Sequence, residues 1–243
     1  MSTPKRFFVE NINYPDDAKI VIEGEEFVHA KTVLRIEKGA EIVLLDNSGK
    51  EYYAIVDGIE KRSLSAHIVG VNDGDKEPNE KICLLCGALK GDKTELVVQK
   101  ATELGVFEIV VFNSEFCSAF MSENKIERLN KVSKEASKQC LRSFAPKVYY
   151  YDKFKDALAH ANGYKNKLFA CEFAQSSDVE ISALCGSTAI VVGSEGGFSQ
   201  REFDLAKEEY NFLGITLGKR ILRAETAAIA TTAVVAFTLG ELK

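Results

Sequence analysis

The sequence predicts an α/β protein with a parallel sheet in its C-terminal part, preceded by a small β domain. Three observations predict it. Short apolar strands separated by turn residues fill residues 1–74, strands and helices alternate from Lys81 onward, and the polar run NDGDKEPN at residues 72–79 divides the two rhythms. Domains are therefore expected at 1–74 and 75–243.

In the first part, strands are expected at 6–9, 18–22, 41–45, 51–58 and 64–71, with turns at Asp46-Asn47-Ser48-Gly49 and Asn72-Asp73-Gly74-Asp75. This is the pattern of a small β-barrel. A helix over 24–36 interrupts it, because Phe27, Val28, Ala30, Lys31 and Leu34 form a stripe at helical spacing and Gly39 follows.

In the second part, strands are expected at 82–87, 108–112, 147–151, 168–173, 189–193 and 214–217. Helices are expected at 93–104, 122–141, 154–161, 200–213 and 224–239. Gly105 stands where a helix end takes a left-handed residue, Ser122 where an N-cap hydroxyl is wanted, and Pro146 just before a strand. The last helix, AAIATTAVVAF, is rich in small and β-branched residues and suits dense packing against a sheet or a second subunit.

Composition narrows the class. With 243 residues, 46% hydrophobic and 28% charged, the chain can bury a core, and no apolar run reaches the length of a membrane span. The start, MSTPKRFFVEN, has no apolar stretch behind its charges, so a cytoplasmic protein is expected. Cysteines 83, 86, 117, 140, 171 and 185 are expected as reduced core thiols. Cys83 and Cys86 spell C-x-x-C inside an apolar strand with no second pair at zinc spacing, so no metal is expected. Net charge is −5, yet residues 119–155 carry nine Lys and Arg against four Asp and Glu, a local basicity that a polyanion would use.

Three segments carry chemistry. GALKGDKT at 87–94 joins a strand to a helix like a phosphate loop, but Asp92 replaces its second glycine. What survives is Lys90 and Lys93 at a helix N-terminus, a place suited to an anion. IVVGSEGGFS at 190–199 runs a buried strand into a glycine pair and then a helix, with spacing unlike the dinucleotide fingerprint. ITLGKRILRAET from residue 215 is a second glycine-bearing strand exit, with cations at Lys219, Arg220 and Arg223 and with Glu225 and Thr226 at a helix start. Ligands of open α/β sheets bind beyond strand C-termini, so an anionic or adenosine-bearing ligand between two glycine loops is expected.

At these residues the chain resembles the bacterial ribosomal RNA methyltransferases that methylate N3 of a uridine in small-subunit RNA, within the SPOUT superfamily of knotted, S-adenosylmethionine-dependent enzymes. The resemblance is carried by GSEGGFSQREF at 193–203, LGKRILRAETAAIA at 217–230, LKGDKTELVVQKATELGV at 89–106 and EASKQCLR at 135–142. KRFFV at 5–9 and HAKTVLR at 29–35 are similar to the family's PUA-like RNA-binding barrel, and Ser194 stands where the family usually has proline.

The resemblance implies a deep C-terminal trefoil knot, a homodimer and S-adenosylmethionine as cofactor. It assigns cofactor contacts to Gly193, Glu195, Gly196, Gly197, Leu217, Gly218, Ile221, Leu222 and Arg223. Uracil N3 is protonated at neutral pH, so a base and a cation near O2 or O4 are needed; Arg223 is expected to stabilise the uracilate, with Glu225 or Glu103 as base. The target must be unpaired or extruded. RNA contacts are expected from Arg6, Phe8, His29, Arg35, Lys90, Lys93, Lys134, Lys138 and Arg142, the last three sharing one helix face with Lys131. The substrate is then small-subunit ribosomal RNA, free or in the assembled 30S subunit. The alternatives are a knotted methyltransferase acting on another RNA, or a non-catalytic RNA-binding assembly factor.

Overall fold

The computed structural model describes residues 4–15, 18–171 and 180–242. The chain forms two compact units, residues 1–77 with 137–145, and residues 78–136 with 146–243. The sequence reading placed 137–145 in the second domain, whereas the structure groups it with the first unit.

In the first unit, strands β1 (Lys5–Phe8), β2 (Lys19–Ile22), β3 (Glu41–Leu45), β4 (Lys50–Ile59) and β5 (Leu64–Asp73) form one sheet in the order β1-β3-β4-β5-β2. Strand β1 runs parallel to β3, and the other pairs are antiparallel. The expected barrel is thus a five-stranded sheet with β1 and β2 at its edges, and register shifts in the β4–β5 pair at Tyr53/Ala54 and Val56/Gly58 bend it. The expected helix over 24–36 divides in two. Helix α1 (Gly24–Val28) is followed by a π-helical stretch, His29–Val33, and Arg35 in the left-handed region (φ 50°) stops it before Ile36.

Alternation along β1 and β3 buries both faces. Phe7, Ile42 and Leu44 join the main core with Phe27, Tyr52 and Ile68. Phe8, Val43 and Leu45 pack instead with Ala145 of the returning segment, where Asn47 accepts from the Ala145 amide at 2.9 Å.

In the second unit, β6 (Ile82–Gly87), β7 (Glu108–Phe112), β8 (Lys147–Tyr151), β9 (Asn166–Ala170), β10 (Thr188–Val192) and β11 (Leu213–Ile215) form a sheet in the order β11-β9-β10-β6-β7-β8. Every neighbouring pair is parallel. Helices α2 (Lys93–Glu103), α3 (Glu123–Gln139), α4 (Phe154–His160), α5 (Gln200–Tyr210) and α6 (Ala224–Thr238) accompany it. One face packs Leu84, Ile190 and Ile215 against Val97 and Val98 of α2 and Ala228 and Val235 of α6. The other packs Leu85 and Val191 against Phe154, Leu158, Phe198 and Phe212. Phe112, Phe169 and Phe212 are fully buried, each contributing about 1.5–3 kcal/mol from apolar surface removed from water.

Several boundaries follow local chemistry. Gly105 is left-handed (φ 87°) just past α2, and Ser122 accepts from the Lys125 amide at 3.4 Å as the N-cap of α3. Helix α5 starts on a reciprocal Ser199–Glu202 capping box and ends at Tyr210, not 213, because Asn211 turns left-handed (φ 59°). Of the strand expected over 168–173, Glu172 and Phe173 lie outside the described residues. Cys83 and Cys86 are buried, and burial pushes both thiols up, Cys86 to about 12; Cys185 is exposed, not a core thiol.

Candidate functional site

All strands of the second unit's sheet end on one side. Strand β10 is inserted between β9 and β6 rather than beside β8, which opens a crevice where exit loops diverge. A cavity of about 800 Å³ lies there. Its walls are the loop after β10, residues 193–198, the loop after β11, residues 216–223, the end of β9 at Ala170 and Cys171, and Ala224 and Ala227 of α6.

The first loop is held rigidly. The Gly197 amide donates to the Ser194 carbonyl at 3.0 Å, closing a turn with Glu195 and Gly196 at its tip. A Cβ on Gly196 would stand 2.5 Å from the Phe116 carbonyl oxygen, so protein atoms demand this glycine. In the second loop Gly218 is left-handed (φ 102°), a conformation that glycine alone adopts without strain.

Glu195 and Glu225 share a cation. Lys93 Nζ lies 3.0 Å from Glu195 Oε1 and 3.7 Å from Glu225 Oε2, and the Lys90 amide donates to Glu195 Oε1 at 3.2 Å. Partial burial, which would raise the Glu195 carboxyl, is outweighed by the Lys93 ammonium and the Lys90 amide, so its pKa is lowered. Glu225 Oε2 is buried without a hydrogen-bond partner.

The nine residues expected to touch a cofactor, Gly193, Glu195, Gly196, Gly197, Leu217, Gly218, Ile221, Leu222 and Arg223, all line this one cavity. Sequence reasoning did not assign Ala170, Cys171, Phe198 or Thr216, which also line it. Cys171 and Thr216 directly follow the ends of β9 and β11, whereas the expected strands run on to 173 and 217 and so hold both residues inside strands. Lys93, expected on RNA, also lines this cavity.

Other expectations are corrected. Glu103 does not line the cavity. It sits in the last turn of α2, ten residues beyond Lys93 and about 15 Å along the axis, paired with Lys100 at 2.9 Å. Arg6 is buried in an ion pair with Glu51, and Phe8 is buried against Val43 and Leu45. Arg142 is 3% exposed and bound to Glu77, while Lys138 pairs with Glu26 at 2.8 Å. The shared basic face also breaks, because α3 ends at Gln139 and Leu141 is left-handed (φ 64°) before Arg142. Arg35, Lys90 and Lys134 are exposed and His29 is half-buried. Among the described residues no group of His, Cys, Asp and Glu has the geometry of a metal site, and no helix is long and apolar enough to cross a membrane.

Comparison with known proteins places these features. Residues 75–236 match the RNA methyltransferase domain family, and residues 22–69 match the RNA methyltransferase PUA domain. The chain is 35% identical to ribosomal RNA small subunit methyltransferase E of Mesomycoplasma hyopneumoniae (strain 232), covering 92% of this chain and 95% of the relative. It is 33% identical to the protein of the same name from Rickettsia conorii, covering 92% and 91%. The crystal structure of ribosomal RNA small subunit methyltransferase E from Neisseria gonorrhoeae bound to S-adenosylmethionine superposes with a TM-score of 0.84 at 29% identity, covering 97% of this chain and 98% of that one.

Proposed function

Because the chain belongs to the ribosomal RNA small subunit methyltransferase E family, with an RNA methyltransferase domain and a PUA domain, we propose that it transfers a methyl group from S-adenosylmethionine to N3 of one uridine in 16S ribosomal RNA. The observation that carries this is the single cavity lined by all nine residues of the expected cofactor set. The donor set fits the cofactor: apolar side chains at Ala170, Ile215 and Leu222 suit an adenine, main-chain groups of two glycine loops suit its edge, and Lys93 and Glu195 suit charged groups.

When bound, S-adenosylmethionine supplies an electrophilic methyl group, so the chain's task is positioning and electrostatics. Arg223 stabilises negative charge on a uracil carbonyl oxygen, a role supported by its lining the cavity. Glu225 takes the N3 proton: neither it nor Glu103 lines the cavity, but Glu225 follows the lining residues Arg223 and Ala224 and lies beside Lys93, whereas Glu103 is tied to Lys100. Exposed Arg35, Lys90 and Lys134, with His29, supply RNA contacts.

We further propose a trefoil knot in the second unit, supported by the insertion of β10 between β9 and β6 and by the two exit loops that wall one cavity. A homodimer is supported by α6, which is apolar and leaves Val234 and Phe237 at 40% and 58% exposure. A ribosomal substrate, free or as 30S subunits, implies a cytoplasmic enzyme.

The test is transfer of tritium from labelled S-adenosylmethionine to free 16S RNA and to 30S subunits from a strain lacking the protein, followed by nucleoside mass spectrometry. Label in 3-methyluridine at a single site is expected. Cofactor binding without transfer to either substrate sinks the proposal.

A further inference from the structure

The cavity is chemically two-ended. Ala170, Ile215, Leu222 and Ala227 make one part apolar, whereas Lys93 and Glu195, with Glu225 behind them, make the other ionic. In the ionic part a single ammonium faces two carboxylates, at 3.0 and 3.7 Å. Glu225 Oε2 still lacks a hydrogen-bond donor. Within the cluster two carboxylates thus share one ammonium.

We propose that this cluster is the subsite for the amino-acid end of S-adenosylmethionine, with Lys93 taking its carboxylate and Glu195 its ammonium. The inference rests on the cavity being the cofactor site and deepens it by assigning the ligand's polarity. A zwitterion can exchange partners with an ion pair, because the Lys93–Glu195 bond opens and two charge-assisted bonds of the same kind replace it. The pair is cheaply opened: its side chains are 35% and 28% exposed, so water already weakens it.

Lys93 suits the carboxylate better than the other lining cations do. Lys219 and Arg220 belong to a loop without helix or strand and Arg223 is the N-cap of α6, whereas Lys93 is in the first turn of α2 and already held beside Glu195. The same geometry disfavours a phosphate contact, since two carboxylates beside the ammonium cancel its attraction for a polyanion.

Two ligands isolate the subsite. S-adenosylhomocysteine has the amino-acid end, and 5′-methylthioadenosine keeps the adenosine and the thioether without it. Calorimetric titration of the wild-type protein, Lys93→Met and Glu195→Gln with both ligands reads the subsite directly, without turnover. Lys93→Met is expected to weaken S-adenosylhomocysteine about tenfold, equivalent to about 1.4 kcal/mol, and methylthioadenosine less than about twofold. Glu195→Gln, which retains an acceptor for the Lys90 amide, is expected to show the same selectivity. Methylthioadenosine binding itself reports an intact cavity. Equal losses for both ligands, or undiminished S-adenosylhomocysteine binding with weakened RNA binding, overturn the subsite while leaving the cofactor site standing. If Lys93→Met loses both ligands by misfolding, Glu195→Gln decides by the same criterion. Failure of the wild-type protein to bind either ligand overturns the cofactor site and the subsite together.

Discussion

Arg142 Nε and Nη2 both donate to Glu77 Oε2, at 3.1 and 2.8 Å, while Glu77 Oε1 accepts from the Ser143 and Phe144 amides at 2.9 and 3.0 Å. One carboxylate thus ties the end of the first unit's continuous chain to its returning segment. The guanidinium is 3% exposed, so removing it leaves Glu77 with an unmatched charge. Glu77 keeps some contact with water, which tempers the cost. Arg142→Ala is expected to lower stability by about 1–3 kcal/mol, read by urea unfolding, without changing the salt slope of RNA binding. A slope reduced by about one, with stability intact, would instead make Arg142 a phosphate contact.

Glu225→Gln is expected to slow single-turnover methyl transfer by about 10²–10⁴-fold, the usual worth of a general base. Arg223→Ala is expected to slow the same step even at saturating cofactor. Glu103→Gln loses only an i,i+3 ion pair on the surface of α2, a matter of a few tenths of a kcal/mol, and should leave the rate within about twofold. A slow Glu103→Gln enzyme beside a normal Glu225→Gln enzyme reverses the assignment.

Gly196→Ala places a methyl 2.5 Å from the Phe116 carbonyl, and backbone cannot swing aside as a side chain can. The glycine turn must shift, and with it one wall of the cavity. Expected losses are about 1–3 kcal/mol of stability and about tenfold or more in S-adenosylhomocysteine affinity, by thermal unfolding and calorimetry. If both stay at wild-type values, the turn is more pliant than its hydrogen bond implies.

Glu195 gives a pH test of the ionic cluster. Its native pKa lies below the ordinary 4.5, so the folded state favours the carboxylate more than the unfolded state does. Stability from this source is fully present above about pH 4.5 and is lost as pH falls through the lowered native value. The gap in melting temperature between wild type and Glu195→Gln should narrow as pH falls from about 6 to about 3. A gap constant over that range means that the Lys93 pair contributes nothing measurable.

Much of this was legible from order along the chain. Alternating strands and helices, the glycine exits at 193–197 and 218, and the caps at Gly105 and Ser122 are local properties, set by dihedral preferences and by the period of apolar residues. They placed the sheet and the two glycine loops, while the resemblance to a known family supplied the residue-by-residue cofactor set that lines the cavity. What only the tertiary structure decided is the job of each charge. Arg6, Lys138 and Arg142 read as free cations in the sequence, yet Glu51, Glu26 and Glu77, 45, 112 and 65 residues away, neutralise them. Lys93 looks like Lys90 in one dimension and differs only because Glu195 and Glu225 arrive from β10 and α6. Glycine and periodicity act through the backbone next to them; a charge acts through whatever the fold brings within about 4 Å, and that is not written beside it in the chain.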